Sequence, residues 1–337
     1  MILSGDIGGT LTRLAFFEVA DRRLRLVARK IYPSGEYAGL TELVTRFATE
    51  YGHRADCAAF GVPGPVREGY AKITNLPWLV DATELARALR LPETALINDL
   101  EANAHGLAAL GPDDFAVLNE GLPDATGNAA VISAGTGLGE AGLYWDGTRH
   151  RPFASEGGHA DFAPRDNLEM ELLRYLLARY GHVSHERILS GPGLHNLYLF
   201  LRDTGRGKES SGIAEAMRMQ DPPMVISQAA LEGKCSLCVK ALDLFVSIYG
   251  AEAGNLALKI MATGGIYVGG GIAPGIVKKL QEARFMEAFT AKGRMQQLLE
   301  SIPVRVILNP DTPLLGAALY AARRASLIPD DFGPATE

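Results

Sequence analysis

The pattern of apolar and polar positions divides the chain into short apolar runs and longer segments with helical spacing. The short runs predict strands, at residues 2–5, 14–18, 57–62, 94–98, 129–133, 140–145, 265–268 and 303–308. Apolar residues recur every three or four positions in the segments that predict helices, at residues 101–110, 167–180, 192–201, 238–259, 295–299 and 314–325. Residues 205–212 (GRGKESSG) predict an exposed loop. Because strands alternate with helices, we expect the α/β class.

One uncharged stretch, residues 260–277, approaches the length of a membrane-spanning helix. Its 18 residues include six glycines and Pro274, and such a composition disfavours a helix in a bilayer. The stretch instead predicts a buried strand that runs into a glycine turn. We therefore expect no membrane partner.

Composition and charge exclude several classes of protein. With 337 residues, of which 47% are hydrophobic, the chain is long enough for two lobes and ordinary for a globular protein. Its 33 basic and 39 acidic residues give a formal net charge of −6 without any basic block, which disfavours nucleic acid or an acidic membrane surface as a partner. The first residues (MILSGDIGG) lack the charged and apolar segments of a signal peptide. We expect a cytoplasmic protein.

The three cysteines, an odd number, fit a reducing compartment. Cys235 and Cys238 form a CxxC pair, and three hypotheses for it stay open. They are structural zinc, redox chemistry, and two cysteines on one helix face. A zinc site usually needs a second pair of ligands, and the neighbouring sequence offers none at suitable spacing.

Glycines make up about 11% of the chain, against roughly 7% on average, and they cluster. Residues 2–10 and 130–139 both read as a strand, then glycines with a threonine, then a second strand. Glycine lets consecutive backbone N–H groups converge on a phosphate, and threonine adds a hydroxyl donor. Asp6, at a strand end, can hold a hydrated Mg²⁺ that bridges phosphates. The alternative is a tight hairpin without a ligand. The repeat suggests two related lobes that face one cleft.

Two familiar nucleotide motifs are disfavoured. The sequence contains no GxxxxGK[ST], and its glycines lie between two strands instead of between a strand and a helix, which argues against a dinucleotide fold.

A third glycine cluster, residues 269–271, follows a predicted buried strand. Such a flat backbone surface suits a planar ring such as adenine, although a simple strand-to-helix turn is the alternative.

Polar side chains form three further candidates. Asn98 and Asp99 end a predicted strand, where a carboxylate can take a proton from an alcohol; an N-cap pair for the next helix is the alternative. Residues 155–162 (SEGGHADF) and Glu186 bring carboxylates and a histidine that suit the hydroxyls of a polyol. A metal site at His159 and Asp161, or at His182 and His185, is the rival hypothesis. Asn75 offers another amide near the sugar, or lies in a turn beside a buried Trp78.

Together these motifs resemble one family. Gly5–Thr10 is similar to the phosphate-1 motif of the sugar-kinase/actin superfamily, Ser133–Gly139 to its phosphate-2 motif, and Gly269–Gly271 to its adenosine motif. Other segments resemble bacterial glucokinases specifically. These are Asn75 with Trp78, Asn98–Asp99, Glu156–His159 and His185–Leu194. The motifs keep the family's order from residue 5 to beyond residue 316, so the resemblance covers nearly the whole chain.

The resemblance implies a two-lobed actin-like ATPase (ribonuclease H-like) fold with a cleft between the lobes. It implies a small α/β domain at residues 1–109 plus about 309–337 and a larger α+β domain at residues 110–308. It further implies an ATP- and Mg²⁺-dependent, cytoplasmic, usually homodimeric enzyme that phosphorylates the 6-hydroxyl of D-glucose.

The same resemblance assigns a role to each site residue. Asp99 matches the general base for the sugar 6-hydroxyl. The residues matched to the substrate are Asn75, Asn98, Gly137, Glu156, His159 and Glu186. Those matched to the nucleotide are Gly8, Gly9, Thr10, Gly135, Thr136, Gly270 and Gly271, with Asp6 holding Mg²⁺ through water.

Leu11 departs from the family pattern, and one related group of sugar kinases has to be distinguished. Leu11 stands where the family commonly has asparagine after Gly-Gly-Thr, which removes one polar group near the phosphates. The related repressor/open-reading-frame/kinase (ROK) group usually carries a cysteine-rich zinc motif after Glu-Gly-Gly-His, and residues 162–180 contain no cysteine. That absence favours the glucokinase family. A kinase for another hexose, a non-catalytic ATP sensor and a different phosphoryl donor stay open.

Overall fold

The computed structural model describes residues 1–73, 76–330 and 332. Its strands, numbered in chain order, are β1 (Ile2–Ile7), β2 (Leu11–Ala20), β3 (Arg23–Pro33), β4 (Cys57–Val62), β5 (Tyr70–Lys72), β6 (Leu79–Asp81), β7 (Ala95–Asn98), β8 (Phe115–Asn119), β9 (Ala129–Ala134), β10 (Leu138–Trp145), β11 (His150–Ser155), β12 (Gly265–Gly269) and β13 (Val304–Ile307). Its α-helices are α1 (Leu40–Tyr51), α2 (Ala82–Leu89), α3 (Asp99–Gly106), α4 (Asn167–Tyr180), α5 (Gly191–Asp203), α6 (Ser211–Met219), α7 (Pro222–Leu231), α8 (Ser236–Ile260), α9 (Val277–Leu280), α10 (Ala283–Thr290), α11 (Gln296–Glu300) and α12 (Thr312–Arg324).

The chain divides into two compact units. The first comprises Met1–Asp114, Ala141–Ala154 and Asn309–Glu337, and the second comprises Phe115–Glu140 and Ser155–Leu308. A five-stranded sheet has the order β3-β2-β1-β4-β7, and a six-stranded sheet has the order β11-β10-β9-β12-β13-β8. The domain division that the family resemblance implies, with residues 1–109 plus about 309–337 in one domain and residues 110–308 in the other, stays a prediction.

In the first unit, β1 is antiparallel to β2 and parallel to β4, and β4 is parallel to β7. Every residue of β4 is buried, because successive side chains of a strand point to opposite faces and both faces are covered. Phe60 belongs to a core with Phe47 of α1. Ala59 belongs to another core with Leu314 of α12.

In the second unit, β9, β12 and β13 are parallel neighbours, and β8 is antiparallel to β13. Every residue of β9 is buried, as expected for a parallel strand with both faces covered. The 25-residue helix α8 is buried along most of its length, and its Phe245 and Leu242 belong to the same core as Ile132 of β9. This core supports the turns that follow β9 and β12.

All eight predicted strands are present, with ends shifted by three residues at most. The α-helix over residues 167–180 has the predicted bounds, and the predicted helix at 101–110 is α3 followed by a short 3-10 turn. The uncharged stretch 260–277 contains β12 and the glycine turn, as predicted. Within the described residues, no helix is long and apolar enough to cross a bilayer.

The predicted loop at residues 205–212 ends earlier than expected, because α6 begins at Ser211 with Ser210 as its cap. Strand β3 is the longest of the strands that the sequence pattern did not predict. Most β3 residues are exposed or half-buried, so neither an apolar run nor a clean alternation marks it. Its place at the sheet edge comes from pairing with β2 over the whole strand.

Candidate functional site

The first glycine turn, residues 8–10, joins β1 to β2. The N–H of Gly8 donates to the carbonyl of Leu11 at 2.9 Å, and a Cβ on Gly8 would lie 2.7 Å from that oxygen. Ser34 supports the turn, because its hydroxyl donates to the Gly8 carbonyl at 2.8 Å. The backbone of Leu11 closes the turn whatever its side chain is, and that side chain is 45% exposed.

Asp6 is the penultimate residue of β1, just before this turn, and its Oδ2 accepts from Nη1 of Arg13 at 3.1 Å. Burial raises the pKa of Asp6, and the neighbouring Arg13 partly offsets that shift. In the part of the chain that the structure describes, no group of three His, Cys, Asp or Glu side chains could hold a metal ion. A single carboxylate fits a Mg²⁺ ion that is held mostly by water and phosphate oxygens, as is usual for nucleotide-bound Mg²⁺.

Asn98 and Asp99 lie where β7 ends and α3 begins. Oδ1 of Asn98 accepts from the N–H groups of Leu100 and Glu101, so Asn98 caps the helix as the alternative hypothesis expected. Its amide donates to the Gly64 carbonyl at 3.3 Å. Oδ1 of Asp99 accepts from Leu100 N–H at 2.9 Å. Both side chains are therefore held at the N-terminus of α3.

The second glycine turn, residues 135–137, joins β9 to β10. Gly135 N–H donates to the Gly137 carbonyl, and Gly191 N–H donates to the Gly135 carbonyl, both at 2.8 Å. The N-terminus of α5 therefore touches this turn. Ser190 caps α5 by accepting from Gly193 N–H, and its hydroxyl donates to the Glu186 carbonyl. Sequence reasoning passed over Ser190, although a serine before Gly-Pro-Gly is a helix-start signal.

The third glycine turn, residues 269–271, follows β12 and lies against the second. Gly270 has a φ of 82°, and a Cβ there would lie 2.2 Å from the Ala134 carbonyl oxygen, so only glycine fits. Ile272 N–H donates to that carbonyl at 3.2 Å. Among the described residues, no atom lies within 4 Å of where a Cβ of Gly271 would be. This open backbone suits the face of a planar ring.

Glu156, His159 and Glu186 form what we term the sugar cluster. The His159 ring lies 3.9 Å from a carboxylate oxygen of Glu156 and 3.9 Å from one of Glu186. The side chains of Glu156 and His159 are more than half exposed, and that of Glu186 is 29% exposed. Two carboxylates and an imidazole together offer acceptors and a donor for adjacent hydroxyl groups.

Glu186 also connects the sugar cluster to the second glycine turn. Its Oε2 accepts from Leu138 N–H at 3.1 Å, and a Cβ on Gly137 would lie 2.5 Å from the same oxygen. Any side chain at residue 137 would therefore displace this carboxylate. The structure thus brings together Gly135, Gly137 and the sugar cluster. Asn75 lies outside the described residues.

The alternative chemistries find no support in the described residues. His182 pairs with Asp161, but His185 pairs separately with Glu252, so the two histidines do not share a site. Cys235 caps α8 and its sulfur accepts from Cys238 N–H. Both cysteines are buried, and burial raises the pKa of the Cys238 thiol. A thiol that stays protonated is a poor metal ligand and a poor redox group.

Behind the sugar cluster lies a carboxyl group that the sequence analysis missed. Glu140 on β10 is buried, and within the described chain its Oε1 has no hydrogen-bond partner. Its Oε2 occupies the place where a Cβ of Gly157 would be. Burial, and then the nearby Glu252, raise the pKa of Glu140 to about 7, while Lys259 opposes the shift. Glu140 therefore stays protonated well above the pH at which an exposed glutamate ionises.

Glu140→Gln should change how stability depends on pH. The carboxyl ionises near pH 4.5 when unfolded but near pH 7 when folded, so the wild-type protein loses stability as pH rises through that window. Glutamine cannot ionise. We expect the stability of the variant relative to wild type to rise by about 2 kcal/mol between pH 5 and 8, measured by urea unfolding. The exposed Glu120→Gln variant is the control, and its stability relative to wild type should not change between pH 5 and 8. The same constant difference for Glu140→Gln would contradict the prediction.

Comparison with solved structures defines the class of protein. The chain resembles the crystal structure of a glucokinase from an Antarctic psychrotroph, with a TM-score of 0.81 and 32% identity over 96% of this chain and 98% of that one. A ROK-family glucokinase from Streptomyces griseus, solved with glucose and AMPPNP, gives a TM-score of 0.64 at 20% identity over 96% and 99% of the two chains, which supports the fold alone. The protein is therefore a sugar kinase of the actin-like ATPase fold, and the α/β prediction is confirmed.

The family follows from the sequence comparisons. A family model described as Glucokinase matches residues 3–324. The glucokinase of Trichormus variabilis is 42% identical over 96% of this chain and 99% of its own. That of Caulobacter vibrioides is 37% identical over 94% of both. The chain belongs to the glucokinase family, as its motifs predicted.

Proposed function

We propose that the protein transfers the γ-phosphoryl group of ATP to the 6-hydroxyl of D-glucose, giving glucose 6-phosphate and ADP. The observation that carries this proposal is the convergence of the sugar cluster on the second glycine turn, through Glu186. The carboxylate of Glu186 lies beside His159 of the sugar cluster and also accepts from Leu138 N–H at the second glycine turn. The family match over residues 3–324 supports the same reaction.

On the sugar side, Glu156, His159 and Glu186 would bind ring hydroxyls, because carboxylates accept from vicinal hydroxyls and the imidazole can donate or accept. Asn98 and Asn75 would add amide contacts. The exposed side chains of the cluster keep their polar atoms available to a ligand. These contacts would accelerate the reaction mainly by holding the glucose 6-hydroxyl in line with the γ-phosphate of ATP.

Asp99 would act as the general base that takes the proton of the 6-hydroxyl as that oxygen attacks. Its carboxylate is held at the start of α3 by Leu100 N–H. A charge-assisted hydrogen bond to one oxygen orients the other without removing its basicity altogether. Positioned bases of this kind accelerate proton transfer by about 10² to 10⁴.

On the nucleotide side, the turns that contain Gly8, Gly9, Thr10, Gly135 and Thr136 would direct their remaining N–H and hydroxyl donors at the phosphates, while the N–H groups of Gly8 and Gly135 close the turns themselves. Gly270 and Gly271 would lie against the adenine. Asp6 would hold Mg²⁺ through water, and that ion neutralises charge on the transferring phosphoryl group when bound. The remaining charge is stabilised by the backbone N–H groups of the two turns.

The first experiment is a coupled assay of ATP-dependent glucose phosphorylation with Mg²⁺, run beside an Asp99→Ala control. We expect turnover of about 1 s⁻¹ or more for the wild type, abolished in the control and by EDTA. If mannose, fructose or an N-acetylated hexose gives a higher kcat/KM, the substrate assignment is wrong. If every sugar fails while ATP still binds, the protein is a nucleotide sensor. Polyphosphate and ADP in place of ATP test the donor.

We also propose that the protein acts in the cytoplasm as a homodimer, as the family resemblance implies. Light scattering on the eluting peak of a sizing column measures the assembly. The mass of one chain is 36.1 kDa, so a dimer should give twice that value, and a peak at the mass of one chain would contradict the proposal.

A further inference from the structure

Helix α8 carries two buried polar side chains that the proposed reaction does not use. Tyr249 and Glu252 are both buried in a helix segment that is otherwise apolar or small. Because they are three residues apart, they lie on one face of the helix. We call them the α8 pair.

The hydroxyl of Tyr249 joins two strand ends. It accepts from Ala134 N–H at 3.2 Å, and it lies 3.1 Å from the Ile132 carbonyl and 3.4 Å from the Gly269 carbonyl, to which it can donate. Ser133 of β9 and Gly269 of β12 are the last partners in the ladder between these strands. The second glycine turn begins two residues after Ser133, and the third begins at Gly269 itself. One hydroxyl therefore fixes the points from which both nucleotide-binding turns start.

The carboxylate of Glu252 holds the segments that carry the sugar cluster. Its Oε2 accepts from Nε2 of His185 at 2.9 Å and from Nδ2 of Asn255 at 2.8 Å, and its Oε1 accepts from Lys259 at 3.1 Å. Burial opposes its ionisation, but these partners together lower the pKa of Glu252.

His185 transmits that contact to the sugar cluster. It immediately precedes Glu186, and its backbone N–H donates to the Ala160 carbonyl at 3.0 Å. Ala160 follows His159 directly. Glu252 therefore holds, through one buried imidazole, both segments that carry the sugar cluster.

We propose that the α8 pair positions the two substrates separately: Tyr249 positions the turns that bind ATP, and Glu252 positions the segments that bind glucose. This inference rests on the proposed function and adds two positioning residues to it. Neither side chain reaches the exposed face where the ligands would bind. Their effect is exerted through backbone placement, so binding of one ligand should change more than binding of the other.

Direct binding measurements test the Tyr249 half. We expect Tyr249→Phe to raise the Kd of AMPPNP about five- to tenfold, the equivalent of one lost buried hydrogen bond. The Kd of glucose should stay within about twofold. Tyr198→Phe is the matched control, because Tyr198 is a buried tyrosine of the same core whose hydroxyl donates to Glu209. It should leave both constants within about twofold.

Glu252→Leu tests the other half and should raise the Kd of glucose about tenfold, with that of AMPPNP changed by no more than about threefold. Glu252→Gln should restore glucose binding to within about threefold, because its amide oxygen still accepts from His185. The matched control is Glu169→Leu, which removes a buried carboxylate of α4 that pairs with Arg165. If Glu252→Leu does not fold, His185→Gln tests the same contact from its other end and should weaken glucose binding alone.

Two results would overturn the inference. One is a purely structural role, in which a variant has a lower melting temperature but binds AMPPNP and glucose as tightly as its matched control. This applies to Tyr249→Phe, to Glu252→Leu and to His185→Gln. The other is a variant that weakens both ligands equally. Binding is measured without turnover, so a wild-type protein that binds AMPPNP and glucose but transfers no phosphoryl group would contradict the proposed function and leave this inference standing.

Discussion

Asp99→Asn is expected to lower kcat at least about 100-fold while the Kd of glucose stays within about tenfold. Asparagine has the same shape, and its Oδ1 can still accept from Leu100 N–H as Asp99 does. The side chain therefore keeps its place at the start of α3. It cannot take up the proton of the 6-hydroxyl, so the loss falls on the chemical step and not on binding.

The measurement is steady-state turnover at saturating ATP and glucose, beside calorimetric binding of glucose. Asp81→Asn is a close control, because Asp81 is also a carboxylate at a helix start in the first unit, where it accepts from Thr83 N–H. Its kcat should stay within about twofold of wild type. Near-normal turnover of Asp99→Asn would remove Asp99 from the mechanism.

Gly137→Ala is expected to raise the KM for glucose about tenfold or more, a loss of about 1.4 kcal/mol in sugar binding. The new methyl group would lie 2.5 Å from Oε2 of Glu186, so the carboxylate must move. That movement breaks the hydrogen bond from Leu138 N–H and displaces one of the two carboxylates of the sugar cluster. The backbone at Gly137 does not itself require glycine, so the fold should survive.

Steady-state kinetics over a range of glucose concentrations measure this effect, with circular dichroism to verify folding. Gly212→Ala in α6 is the control, since no described atom lies within 4 Å of where its Cβ would be. It should leave the KM unchanged within about twofold. Adding Glu186→Ala to Gly137→Ala distinguishes the cause: if the clash with Glu186 is responsible, the double variant should be no worse than Glu186→Ala alone.

Features set by a few neighbouring residues could be predicted from the sequence. The eight strands were marked by apolar runs, and the N-cap at Asn98 by a polar pair before helical spacing. The glycine turns were marked by strand–glycine–threonine–strand segments. These signals act over fewer than about ten residues, where backbone geometry and hydrogen bonding depend mostly on nearest neighbours. The assignment of individual site roles came from the family resemblance.

The CxxC pair shows where local spacing was ambiguous. Zinc, redox chemistry and helix packing all use cysteines three residues apart. The choice depends on burial and on ligands distant in the chain, and the structure buries both thiols at the start of α8. Similarly, β3 has little local signal, and only its long pairing with β2 makes it a strand.

The sequence by itself determined the α/β class, the order of the glycine turns and, through its motifs, the family. The tertiary structure alone decided which distant residues meet. Gly137 and Glu186 are 49 residues apart, and His185 and Glu252 are 67 apart, yet the first pair shapes the sugar cluster and the second supports it. Such contacts have no local code, because they depend on how whole elements pack. The raised pKa of Glu140 belongs with them, since burial and a carboxylate from another element produce it.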